Sequence, residues 1–135
     1  MNTLTLSKFC RFVALTLLSF FLISCSAQFY EGPKRAASEV ATIKFGDVRP
    51  HTVDGRTTRF TPTVQVLPGK RTIGFKSFRD FGIYMVEYAP AHMTFVAKAG
   101  HVYRPKLKRG SDNPPKTEIF DETSQRVVAK GVVGQ

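Results

Sequence analysis

With 135 residues and 42% hydrophobic content, the chain has the composition of one globular domain and excludes both a disordered polymer and a collagen-like repeat. The formal charge of +10 makes lipid head groups, acidic polymers and nucleic acid the partners to weigh. Lys8 and Arg11 are the only charges before Cys25, so the 111 residues from Cys25 onward still carry +8.

Residues 1–24 have the parts of a secretory signal: Lys8 and Arg11 as a positive start, then a 12-residue run over 12–23 broken only by Thr16 and Ser19. A spanning helix needs roughly 20 apolar residues, so the run is too short for a comfortable membrane anchor. The Leu22-Ile23-Ser24-Cys25 stretch that closes it resembles the bacterial lipobox. That resemblance implies a diacylglyceryl group on the Cys25 sulfur, cleavage after Ser24 and acylation of the new amino group. One acyl chain holds a protein to a bilayer only marginally, whereas two or more anchor it stably. Ser26, where an Asp would retain such a protein in the inner membrane, implies the periplasmic face of a Gram-negative outer membrane. With Cys10 inside the signal, Cys25 has no partner for an internal disulfide, and the domain depends on its core alone.

Residues 25–38 read as a lipidated tether interrupted by Gly32-Pro33. Phe29 and Tyr30 in it could sit at the membrane interface or dock on the domain. From residue 39 to 135, short β-branched and aromatic segments alternate with turn pairs, which predicts an all-β, antiparallel β-sandwich of seven or eight short strands. Strands are expected over 40–45 and 48–53, and Asp54-Gly55 predicts a type I′ hairpin with a partner over 56–61. A second hairpin is expected between 64–67 and 72–75 around Pro68-Gly69, with Ile73 and Phe75 on one face. Strands follow over 83–88, 93–97 and 102–107, where Pro105 points to an edge strand or a bulge. The segments 118–120 and 126–129 should close the domain around 121–125.

Tyr30-Glu31-Gly32-Pro33, Ala37-Ser38-Glu39-Val40-Ala41, Val53-Asp54-Gly55, Val66-Leu67-Pro68-Gly69 and Ala99-Gly100-His101-Val102-Tyr103 occur in an order that resembles a group of small bacterial lipoproteins. The resemblance covers nearly all of the chain after Cys25. Around Leu67-Pro68-Gly69 it is also similar to the recurrent turn of PEGA-like and transthyretin-like sandwiches. It implies the fold and the address but no activity, because none is attached to that group. The chain departs from the pattern in having no Trp and in placing Ser124 where an Asp-x-Thr-Gly turn has glycine.

Candidate sites are few. His51, His92 and His101 form no metal-binding motif, and neither a nucleophile elbow nor a P-loop is present. No catalytic residue, metal or cofactor is expected. Arg104, Lys106, Lys108 and Arg109 follow the period of a strand, so the first three would share one face and could bind an anionic glycolipid or cell-wall polymer. Lysines in such a row also protect an exposed edge from pairing with another chain. Phe78 and Phe81, among Lys70, Arg71, Lys76 and Arg79, are candidates for a protein contact. Nucleic acid is not an expected partner of a protein held at the outer membrane. The sequence thus predicts a non-enzymatic envelope lipoprotein anchored through Cys25. An accessory subunit of an envelope or secretion machine is the second reading, and an envelope hydrolase the third.

Overall fold

The computed structural model describes residues 26–80, 82–83, 85–108 and 114–133. Its strands in chain order begin with β1 (Ala27–Gln28), β2 (Ala41–Lys44), β3 (Arg49–Val53) and β4 (Arg56–Thr57). They continue with β5 (Thr63–Val66), β6 (Gly69–Lys76), β7 (Phe78–Asp80) and β8 (Met85–Glu87). The last four are β9 (Ala91–Ala97), β10 (Val102–Leu107), β11 (Lys116–Asp121) and β12 (Arg126–Val132). A single 3-10 turn, Ala37–Glu39, precedes β2 among the described residues.

Alternation decides which faces are inside. In β9, Ala91, Met93, Phe95 and Ala97 are buried while His92, Thr94 and Val96 are exposed; β11 repeats the pattern with Thr117, Ile119 and Asp121 inside. Two such faces stabilise each other by closing over one another. Here a six-stranded sheet in the order β1-β5-β2-β10-β11-β12 covers a four-stranded sheet in the order β4-β3-β6-β9. Ile43, Phe45, Ile73, Phe75, Tyr103 and Ile119 fill the space between them. The rings of Phe95 and Tyr103 meet at 4.7 Å and 54°, a tilted contact that contributes about 0.5–1.5 kcal/mol beyond area burial. The expected all-β sandwich is therefore the architecture.

Several details differ from expectation. There are twelve strands among the described residues: β1 and β7 were not expected, being too short to carry a periodic signal, and the expected 56–61 and 83–88 strands contract to β4 and β8. The sandwich is not purely antiparallel: β1 runs parallel to β5, and β10 runs parallel to β2. Asp54 and Gly55 have φ of 48° and 79°, the expected type I′ turn. Pro68-Gly69 also turns the chain, with Gly69 at φ 121°. Yet β5 and β6 belong to different sheets, so this turn crosses the sandwich and the second hairpin does not form.

Pro105 lies in an interior strand, not an edge strand. Pairing of β10 with β2 ends at Tyr103, and the bonds Glu122 N–H to Val102 O and Lys108 N–H to Lys116 O direct even-numbered β10 residues toward β11. The Pro105 nitrogen therefore faces the side where the ladder has stopped, and its missing N–H costs no bond.

The expected tether over 25–38 is also shortened. Ala27 and Gln28 pair with Val64 and Gln65, Phe29 packs against the core, and the Tyr30 hydroxyl accepts the Arg35 N–H at 3.0 Å. Docking wins because an aromatic ring stabilises more when buried than when held in water. The described domain thus begins at Ala27. The signal segment 1–24 and Cys25 lie outside the described residues.

Register collects the strand ends at two poles. The start of β1, Lys44 of β2 and Thr63 of β5 point to one pole, here called proximal. The Leu67-Pro68 turn lies at the opposite, distal pole, and β6 runs back to place Lys76 and its partner Arg49 at the proximal one. There the chain enters the two-stranded β7-β8 ribbon. β10 also ends proximally, whereas the turns at 98–101 and 122–125 are distal.

Candidate functional site

On the outer face of the larger sheet, Arg104 and Lys106 project from β10 beside Glu118 and Phe120 of β11, and Lys108 follows just beyond the strand. The predicted row is real in its geometry, but its members are engaged. Arg104 Nε donates to Glu122 Oε1 at 2.6 Å, Lys106 Nζ lies 3.9 Å from the centre of the Phe120 ring, and Lys108 Nζ is 3.4 Å from Glu118 Oε2. Such exposed pairs are individually weak, about 0–1 kcal/mol, so an anionic ligand could displace them at little cost.

The closing hairpin enlarges this row. Lys130 of β12 is opposite Glu118, and Lys116 neighbours Lys108, so the three lysines and Glu118 line an open hollow of about 480 Å³ at the proximal end of this face. Lys116 and Lys130 were missed by sequence reasoning because they lie far from the 104–109 row. The register of β11 against β12 is the signal that unites them, and a bulge between Ile119 and Phe120 hides it. Arg109 lies outside the described residues.

A second concavity, about 570 Å³, opens at the proximal pole and is lined in part by Val48, Arg49, Pro50, Phe60 and Phe78. The Arg49 guanidinium lies 4.4 Å from the Phe78 ring centre and 5.5 Å from that of Phe60. This places Phe78 at the base of the ribbon, beside the body of the domain. Phe81, its expected companion, lies outside the described residues.

Phe60 is 70% exposed. It sits with Arg59 at the centre of a turn closed by the Thr61 N–H to Thr58 O bond of 3.0 Å, and both central residues have positive φ, 49° and 64°. A type I′ turn normally uses Asn or Gly there; bulky L-residues raise the cost by about 1–2 kcal/mol each. No turn residue marks this position, so the sequence offered no signal for it.

At the distal pole, His101 Nδ1 is 2.7 Å from Asp121 Oδ2, and the buried carboxylate also accepts from Ser124 Oγ at 2.7 Å and from the Thr123 and Ser124 N–H groups. Burial raises the Asp121 pKa, but the bonds from His101, Ser124 and Thr123 outweigh it and hold the carboxyl below the usual range. Burial raises the Tyr103 hydroxyl, with the Asp121 charge adding to it, while its bond with Lys98 works in the opposite sense. The left-handed residue of this turn is Gln125, φ 57°, and Ser124 is not among the positive-φ residues.

His92 packs beside Gly74, and His51 gives its carbonyl to the Thr58 N–H at 3.1 Å. The three histidines do not converge. Among the described residues no cluster of three His, Cys, Asp or Glu could hold a metal, and no helix is long and apolar enough to cross a membrane. No family model, curated protein or solved structure matches the chain.

Proposed function

We propose that the chain is an outer-membrane lipoprotein, held on the periplasmic face by acyl chains on Cys25, whose sandwich binds an anionic envelope component and performs no chemistry on it. The observation that carries the binding role is the hollow of Lys108, Lys116 and Lys130, set on the larger sheet, with Glu118 as the one acidic residue among its described lining. Phosphates of a glycolipid or carboxylates of a cell-wall polymer have the charge this face takes.

The distal polar cluster supports binding over hydrolysis. A nucleophile needs its base within hydrogen-bond reach, but Ser124 Oγ and His101 Nδ1 both address Asp121 Oδ2. Hydroxyl and imidazole share a carboxylate instead of facing each other. The second reading, an accessory subunit of an envelope machine, draws on the β7-β8 ribbon, whose strands each pair on one side only among the described residues.

Two measurements test the proposal. Cys25→Ser should abolish acyl labelling and move the protein out of the outer-membrane fraction; persistence there rejects the anchor. Reversing the hollow with Lys108→Glu, Lys116→Glu and Lys130→Glu together should weaken binding to lipopolysaccharide or peptidoglycan at least about tenfold, since each lysine near an anionic surface contributes on the order of 1 kcal/mol. Equal affinity in the triple variant rejects the hollow as the site.

A further inference from the structure

We propose that the proximal pole of the sandwich lies against the bilayer, with Phe60, Ile83 and Met85 entering the head-group layer. The inference rests on acylation of Cys25 and adds an orientation to it. Ala27 is already paired with Val64 in the sheet, and Ser26 alone separates it from Cys25. Two residues of extended chain span at most about 7 Å. Because β1 runs away from the proximal pole, the chain enters it from the proximal side. An anchor this short does not let the domain tumble freely above the membrane; one pole is held close to it.

Val96, at the distal end of β9, is also exposed, but the two most exposed large apolar side chains, Ile83 and Phe60, stand at the pole that is held close. Ile83, in the connection between β7 and β8, is 93% exposed; Met85 of β8 is 68% exposed and Phe60 is 70% exposed. A two-stranded ribbon has no second layer to cover its side chains and is marginal in water by itself. Covering by lipid answers that deficit. Amphipathic elements bury their apolar side about 5–10 Å into the boundary of head groups and acyl chains, a depth that side chains at a ribbon connection and a turn can reach.

Charge on the same surface includes an exposed carboxylate, Asp47, beside two arginines. Arg49, bracketed by Phe60 and Phe78, and Arg59 beside it provide cations next to the apolar groups. Glu87 is bonded to Lys76 at 2.6 Å, and the Lys76 ammonium holds its carboxyl below the usual range. Its negative charge is thereby compensated where anionic lipid would approach. The strained 58–61 turn belongs to this picture: it holds an aromatic ring outward that a relaxed turn residue would not supply.

The chain has no Trp, so one introduced Trp reports position directly. Full-length protein is expressed with its signal, its acylation is read by mass, and Phe60→Trp, Ile83→Trp and Lys98→Trp variants are each placed in vesicles of phosphatidylethanolamine and phosphatidylglycerol containing brominated lipid. The expected result is loss of most emission from the Trp at 60 and at 83, with emission at the distal 98 unchanged.

Ile83 is too exposed for its replacement to disturb folding, so that variant keeps the test decisive. Acylated, vesicle-bound protein whose Trp at 60 and 83 stays unquenched overturns the orientation and leaves the anchor standing. A blue shift at 83 that appears without lipid and grows with protein concentration assigns the ribbon to a second copy, and equally overturns it. Absence of the acyl mass overturns the anchor, and the orientation with it.

Discussion

At the distal pole the turns are tied to the body of the sandwich by side-chain hydrogen bonds to their backbone; at the proximal pole the described ties include the Lys76–Glu87 pair and Arg49 against the Phe60 and Phe78 rings. Asp54 accepts the Thr72 N–H at 2.9 Å and Arg71 Nη1 at 2.9 Å, and Arg71 in turn donates to the carbonyls of Leu67 and Pro68. Asp121 does the same for the β11-β12 turn, and the Tyr103 hydroxyl receives the Lys98 N–H at 2.9 Å. Proximally, Arg59 and Phe60 hold an uncommon backbone geometry around an exposed ring, and Ile83 and Met85 stand in water. Left-handed residues and exposed apolar ones occur at both poles, with Asp54, Gln125 and Val96 at the distal one, but only proximally is a left-handed residue itself a large exposed apolar one, Phe60. Such features collect where a protein meets a partner.

The largest effect should come from the distal carboxylate. Asp121→Ala leaves a half-buried ring nitrogen, a hydroxyl and two N–H groups without their acceptor, and should cost about 2–3 kcal/mol by denaturant titration. Asp121→Asn isolates the ionic part. Because the folded pKa is below the unfolded value of about 3.9, the carboxylate's contribution is complete above that pH and is lost as pH falls toward the folded value. The wild-type stability curve should therefore drop more steeply below about pH 4 than that of Asp121→Asn. Parallel acid limbs would show that the carboxylate does not tie this pole.

Arg71→Ala should cost less, about 1–2 kcal/mol, since its partners are partly solvated and can turn to water. Its loss should raise hydrogen exchange in the 67–72 backbone while exchange at the proximal 85–87 ribbon stays the same. Equal loosening at both poles would mean that they do not fold as separately secured ends.

Much of the distal pole could be read in the sequence, and little of the proximal one. Asp54-Gly55 and Pro68-Gly69 name their own turns through residues that favour positive φ, and β10 was placed over its full length by alternation from Val102 to Leu107. The sheet to which each strand belongs is a tertiary choice with no local signature, so Pro68-Gly69 looked like a hairpin when it bridges layers. The predicted cations at 104, 106 and 108 were found because period two fixes a face. Lys116 and Lys130 join them only through pairing, and Arg59-Phe60 lacks the Gly or Asn that announces a left-handed turn. Sequence chemistry thus recovers features that obey local preference and misses those held against it.

That last distinction gives the smallest effect and the sharpest test of the two poles. Asn tolerates positive φ better than Phe, because its short side chain hydrogen-bonds locally. Phe60→Asn gives up little burial and a cation–π contact with Arg49 that is worth about 0.5–1 kcal/mol at an exposed site. Against this it relieves about 1–2 kcal/mol of backbone cost. The net should be a gain of roughly 0.5 kcal/mol in unfolding free energy by denaturant titration, paired with weaker contact of the proximal pole with vesicles. A residue that lowers stability while strengthening contact is held for that contact. If Phe60→Asn instead loses more than about 1 kcal/mol, the ring's packing on Arg49 exceeds the strain, and the proximal turn belongs to the fold in the same sense as Asp54 and Asp121.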